Sequence, residues 1–252
     1  DTAGKQTVKV KEIVKVDADR LDQLVETIGE LVIAESIVSQ FASNGDGSHI
    51  TQQISHLDKI TRELQELGTS LRMVPIRSTF QKMARMVRDL SRKAGKQVEF
   101  SMSGEDTELD KKVVDNIGDP LVHMIRNAVD HGIEVSPEDR RKAGKPDTGH
   151  IELRAFHKGG NIYIEIEDDG RGLDREVILA KAREKGLIDD GDSMSDRDVF
   201  NLIFKPGFST AKKITDVSGR GVGMDVVKRN IDALRGQVEI NSKLGKGSVF
   251  TI

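Results

Sequence analysis

Two stretches of apolar residues, each repeating at three- and four-residue spacing, constrain this chain more than any other feature. The first runs Leu21, Leu24, Ile28, Leu31 and Val38, interrupted by Glu35; the second runs Ile50, Ile54, Leu57, Leu64 and Leu71, with Thr61 and Gly68 in the intervening seam positions. That spacing is the stripe of a helix. Asp17 stands where its carboxylate can cap the first helix, and the loop Asn44-Gly45-Asp46-Gly47-Ser48 separates the two. The pattern predicts a hairpin of two long helices. Val25, Val32, Ile33, Ile60 and Leu67 widen each stripe beyond what one antiparallel partner covers. A symmetric four-helix bundle is therefore expected, a homodimer joined through residues 16–75. The alternative is a hairpin docked on the chain's own second domain.

Residues 1–15 alternate weakly among lysines and read as a linker or a short edge strand. The helical pattern breaks at Arg72-Met73-Val74-Pro75, because proline disfavours helix in the residue before it. A second domain is expected over 76–252. It opens with a helix showing Phe80, Met83, Val87 and Leu90 on one face and ending at Gly95, followed by a strand Gln97–Met102. A helical stretch from about Leu109 to His131 follows, with Asp119-Pro120 as an internal restart or kink. Residues 150–156 and 161–167 alternate as a hairpin around His157-Lys158-Gly159-Gly160. Leu173–Val222 is long and polar and reads as a lid. A helix from about Gly223 to Arg235, ended by Gly236, precedes two strands, Gln237–Asn241 and Ser248–Ile252. The predicted fold is α + α/β: a helical hairpin, then an α/β sandwich with helices on one face of a mixed, mostly antiparallel sheet. The chain stops inside its last strand and is expected to be a fragment.

Composition removes several classes of function. The 252 residues carry a net charge of -3, and runs such as Arg140-Arg141-Lys142 lack interleaved aromatics. They read as a solvated helix face, not a nucleic-acid surface. With no cysteine, disulfides and thiolate metal sites are out, and cytoplasm is the default compartment. No apolar run approaches the roughly 20 residues of a membrane span, so direct insertion is not expected.

Three clusters carry chemistry. On a helix, His123, Asn127 and His131 recur every fourth residue and project from one side. An asparagine carbonyl is a hard oxygen ligand suited to Mg²⁺, and imidazoles beside it can donate to phosphate or relay a proton. Alone, the segment is equally a capped helix end with two surface histidines. Asp168-Asp169-Gly170-Arg171-Gly172 stands where a strand runs out; a carboxylate there accepts from an exocyclic amine such as adenine's, and glycines let a planar base approach the backbone. A D-x-G-x-G by itself is common in turns. Gly219, Gly221 and Gly223 precede a helix, where bare N–H groups and the helix dipole form an anion cradle. The cluster matches neither the Walker loop nor the dinucleotide fingerprint.

In order and spacing these clusters resemble the N, G1, F and G2 boxes of the Bergerat-fold ATPases, with Phe204-Lys205-Pro206-Gly207-Phe208-Ser209-Thr210 as the F box. The wording of HMIRNAVDHGIE, EDDGRGLD, FKPGFST, VSGRGVGMDVVK and LRMVPI is similar to the chemotaxis histidine kinase family, CheA. The resemblance implies that the chain binds ATP and Mg²⁺ in a Bergerat-type sandwich and acts as a protein histidine kinase. It implies that Asn127 ligates Mg²⁺, with His123 as base, metal ligand or positioner, and that Asp168 binds the adenine amine. Gly170 and Gly172 would shape the base pocket, and Gly219, Gly221 and Gly223 would hold phosphates. Ser209 and Thr210 would sit in the lid near the γ-phosphate, Ser248 would assist adenine binding through water, and Asp130 and His131 would complete the nucleotide set. The implied acceptor is a histidine on a separate phosphotransfer domain, and response regulators, a CheW-type adaptor and chemoreceptors are the implied further partners. Two other readings remain: an orthodox sensor kinase, for which only His56 could be the acceptor although it lacks a following acidic residue, and a catalytically silent dimer scaffold.

Overall fold

The computed structural model describes residues 16, 18–44, 47–189, 194–208 and 223–252, with backbone alone for 41–44 and 47–52. The expected linker at 1–15 and the Asp17 cap lie outside the described residues. The chain is organised as two compact units, Asp1–Met73 and Val74–Ile252.

The first unit is a hairpin of α1 (Ala18–Asn44) and α2 (Gly47–Ser70). Its antiparallel course brings Arg20 Nη1 to the Ser70 carbonyl at 2.7 Å. Among its described residues only Ala34 and Ile60 are buried, while Val25, Val32 and Ile33 are 60% exposed or more. One hairpin covers only part of its stripe, which is the physical motive for association.

The short strand β1 (Met73–Pro75) straddles the boundary, and the second unit continues with α3 (Arg77–Ala94), β2 (Val98–Ser103) and β3 (Glu108–Asp110). Helix α3 buries Phe80, Met83 and Val87 and ends where Gly95 turns left-handed at φ 65°. Helix α4 (Lys111–Asn127) is capped by Asp110, whose side chain accepts from Lys112 N, and runs unbroken through buried Pro120. The restart expected at Asp119-Pro120 is therefore absent. The irregularity lies at the other end, where α4 continues as a π-helix over Ala128–Gly132. Helix α5 (Pro137–Lys142) leads to β4 (Gly149–Lys158) and β5 (Asn161–Asp168). Beyond them come α6 (Arg175–Glu184), α7 (Asp196–Asn201), a short 3-10 turn Leu202–Phe204, α8 (Met224–Ala233), β6 (Glu239–Lys243) and β7 (Gly247–Thr251).

Five strands form a sheet in the order β2-β4-β5-β7-β6. The pair β2/β4 is parallel and all others are antiparallel, giving the mixed, mostly antiparallel sheet. Alternation turns Ile151, Leu153, Ala155, Ile164 and Ile166 into a core shared with the helices. The opposite face carries Arg154 paired with Glu165 and Glu167, and a stacked Phe156–Tyr163 pair.

Two further expectations need correction. A lid cannot span all of Leu173–Val222: Ile178, Leu179, Val199, Phe200, Leu202 and Phe204 are core residues, so this stretch is anchored by apolar burial through Phe204. Helix α8 stops at Ala233, two residues short of the expected Arg235, and Arg235 itself turns left-handed at φ 60°.

Candidate functional site

The alternation that buries Ile164 and Ile166 also carries Asp168, the last residue of β5, into the core at 4% exposure. Strand register sets it between Ile151 of β4 and Ser248 of β7. Burial pushes its carboxyl up to about 6, and neighbouring Asp169 and Glu134 push the same way. Against them work the Gly170 N–H, which donates to Asp168 Oδ1 at 3.0 Å, and the charge of Lys145.

Asp168 opens onto a cavity of about 540 Å³. Its walls include Leu173, Ile203, Phe208, Met224 and Phe250, and its polar members are Asp168, Ser248, His123, Asn127, His131 and Lys181. A buried acceptor and hydroxyl among apolar walls suit a heterocycle with an exocyclic amine; the histidines, Asn127 and Lys181 suit an anionic extension. Lys181 Nζ also lies 4.9 Å from the centroid of the Phe208 ring.

His123 and Asn127 sit on α4, but His131 falls in the π-helix, so its phase differs from the regular four-residue repeat. All three nevertheless line the cavity. The His123 imidazole is held below its ordinary range by burial and by the Arg126 charge, which keeps it neutral at pH 7. Asn127 Nδ2 donates to Met224 Sδ at 3.0 Å, leaving the amide oxygen as acceptor. Among the described residues no three His, Asp or Glu side chains form a metal cage. A divalent ion fits only with one or two protein ligands and bound anions supplying the rest, which is the habit of Mg²⁺.

The remaining predicted residues divide. Gly172 lines the cavity, but Gly170 does not: a Cβ there would overlap the Gly132 carbonyl, so this glycine lets the loop seat against the end of the π-helix. Asp130 is exposed and is not among the lining residues; its carbonyl accepts from Lys96. Gly223 stands extended at the start of α8. Ser209, Thr210, Gly219 and Gly221 lie outside the described residues. His56 is exposed on α2.

Sequence reasoning missed several supports. At Gly247, φ is 120° and a Cβ would overlap the Asp168 carbonyl, so only glycine brings β7 this close to Asp168. Ser242 Oγ donates to the Gly247 carbonyl at 3.0 Å, meets Ser248 Oγ at 2.9 Å and accepts from Leu173 N at 2.8 Å, tying the Asp168–Leu173 loop to the β6–β7 turn. Lys96 donates to the carbonyls of Val129, Asp130 and Ile133, closing the π-helix with a cation. Arg140, read as solvated, is 1% exposed and pairs with Glu134 and Asp169. Its neighbours Arg141, paired with Asp147, and Lys142 are exposed as expected. A glutamate set in Gly132-Ile133-Glu134-Val135 was the available hint that a buried cation waits nearby.

Residues 116–252 match the model of the family described as histidine kinase-, DNA gyrase B-, and HSP90-like ATPase. Residues 11–71 match that of the homodimeric domain of signal transducing histidine kinases. The chain is 50% identical to the sensor histidine kinase CheAY of Helicobacter pylori, over 96% of this chain and 31% of that protein. It is 43% identical to the chemotaxis protein CheA of Bacillus subtilis, over 100% of this chain and 38% of the relative. Against CheA of Klebsiella aerogenes the identity is 50%, over 95% and 37%. The chain thus spans about a third of the length of these relatives. With a family model covering more than half of its length, the chain belongs to the histidine kinase-, DNA gyrase B- and HSP90-like ATPases.

Proposed function

We propose that the second unit binds Mg-ATP in the Asp168 cavity and that the chain is the dimeric core of a chemotaxis histidine kinase, transferring the γ-phosphoryl group to a histidine on a separate phosphotransfer domain. The observation that carries this reading is the buried carboxylate of Asp168 at the end of β5, sharing one cavity with Asn127 and His123. Asp168 accepts from the adenine amine, and Ser248 supplies a hydroxyl beside it. Leu173, Ile203 and Phe250 exclude water from the base. Asn127, through its amide oxygen, and His123 are the residues that would hold Mg²⁺, which when bound neutralises phosphate charge. His123, neutral at pH 7, presents a ring nitrogen that accepts a proton or a hydrogen bond. Phosphoryl transfer depends chiefly on alignment and charge neutralisation, so these residues act first through geometry.

The homodimer forms through the exposed stripe of α1 and α2, consistent with the match of residues 11–71. Response regulators, a CheW-type adaptor and chemoreceptors belong to this reading as partners of the longer protein, and cytoplasm as its compartment. No described helix is long and apolar enough to cross a membrane.

The deciding experiment incubates the chain with radiolabelled ATP, Mg²⁺ and a separately supplied phosphotransfer domain. Label is expected on a histidine of the supplied domain. Label on His56 would turn the reading toward an orthodox sensor kinase, and ATP binding without label anywhere would favour a scaffold.

A further inference from the structure

Between the π-helix and β4 lies a cluster of charges that the proposed chemistry does not use. Arg140 donates from Nη1 to Glu134 Oε2 at 2.7 Å, from Nη2 to Asp169 Oδ2 at 2.7 Å and from Nε to the Pro146 carbonyl at 2.6 Å. Lys145 donates to Glu134 Oε1 at 2.8 Å, to the Asp169 carbonyl at 2.8 Å and to the Gly170 carbonyl. The other Asp169 oxygen accepts from His150 N at 2.8 Å. Two cations and two carboxylates balance, and every bond from the two cations to the neighbouring loop lands on Asp169 or Gly170.

Buried ion clusters contribute little net stability compared with apolar packing of the same volume, so stability alone does not account for this one. Its geometry does. The Asp169-Gly170 peptide pinned by Lys145 is the one whose N–H holds Asp168 Oδ1. We propose that Arg140, together with Glu134 and Lys145, is a positioning residue for adenine selection: it fixes the Asp169-Gly170 peptide and thereby orients the Asp168 carboxylate toward the base. This rests on the reading of Asp168 as the acceptor of the adenine amine.

The charged and titratable groups around Asp168 are Asp169 beside it, Glu134 and Lys145 from the cluster, and His123, His131 and Lys181 across the cavity. Removing Arg140 leaves Asp169 uncompensated next to Asp168, whereas neutralising Asp169 removes a like charge. The two changes therefore move the titration of Asp168 in opposite directions, although both break the same salt bridge.

The test compares binding of ATP with that of purine riboside triphosphate, which lacks the exocyclic amine, to the whole chain by titration calorimetry from pH 5 to 8. Arg140→Met, Asp169→Asn and the control Asp168→Asn are set beside the unaltered chain. The preference for ATP is expected to fall about tenfold in Arg140→Met, equivalent to about 1.4 kcal/mol, with binding of the amine-free analogue unchanged. The pH midpoint of ATP binding moves up in Arg140→Met and down in Asp169→Asn. Should Arg140→Met fail to fold, Asp169→Asn and Arg140→Lys carry the comparison. The proposal is overturned if folded variants keep the full preference and midpoint while Asp168→Asn loses them. If Asp168→Ala, which removes the acceptor oxygen that Asp168→Asn still carries, also keeps the preference, the adenine reading itself fails and takes the proposal with it.

Discussion

The Gly170 N–H donates to Asp168 Oδ1 at 3.0 Å, one of two effects, with the Lys145 charge, that partly offset the burial of this carboxylate. They do not offset it fully, since its pKa stands at about 6 against an ordinary 3.8. At pH 5 the native state therefore keeps a proton that the unfolded chain has released. Stability of the ligand-free protein falls as pH rises from about 4 through about 6 and is level above, a loss of roughly 3 kcal/mol at most. Urea unfolding at pH 5 and pH 8 reads about half of it, roughly 1.4 kcal/mol, and in Asp168→Asn this part of the pH dependence disappears. ATP affinity runs the other way, rising through pH 6 as the acceptor becomes charged.

Asn127→Asp keeps the fold, since the side chain is isosteric and half-buried. It places a second negative charge where phosphates are expected, and phosphorylation of a supplied phosphotransfer domain should fall by about two orders of magnitude or more. Circular dichroism checks the fold and label transfer checks the activity; an active Asn127→Asp protein would remove this residue from the mechanism.

Gly247→Ala forces a Cβ into the Asp168 carbonyl at a φ of 120°. A loss of about 3 kcal/mol or more is expected, from the strained backbone and the parting of β7 from β5. Hydrogen exchange should locate the loss in the second unit and leave α1 and α2 protected as before.

Lys96→Met leaves the carbonyls of Val129, Asp130 and Ile133 without their cation. A cost of about 1–3 kcal/mol follows, and because the π-helix carries His131, ATP affinity should weaken together with thermal stability. Unchanged affinity in a destabilised variant would show that the clamp serves folding alone.

Val32→Glu with Ile33→Glu puts two charges into the exposed stripe of α1. Sedimentation velocity should report a monomer at concentrations where the unaltered chain is a dimer, while ATP binding by the second unit persists.

Much of the fold was legible because period survives translation into structure. The alternation of Ile162, Ile164 and Ile166 states which face is turned to the core, and the three-four spacing from Leu21 to Val38 states the helix and the apolar stripe that a single hairpin leaves largely uncovered. Asp168, Asn127 and His123 were legible because their chemistry is unusual for the elements that hold them. What escaped was whatever depends on partners distant in sequence. Arg140 and Lys145 look like any surface run until folding brings Glu134 and Asp169 to them. Gly247 looks like a turn glycine until the Asp168 backbone closes on it, and no local pattern announces that α4 adds a residue per turn at its end.

The polar stripe of the site rides on α4, inside the crossover between β2 and its parallel partner β4. The hairpin β4–β5 can form locally, but joining β2 to β4 requires closing a loop of the whole intervening chain, an entropic cost met late on the folding path. The cavity, lined from α4, β5 and β7, is therefore complete only after both this closure and the still longer one that pairs Asp168 with Ser248. A ligand that recognises only the finished pocket should leave the folding rate nearly unchanged and slow unfolding instead, acting as a latch on escape.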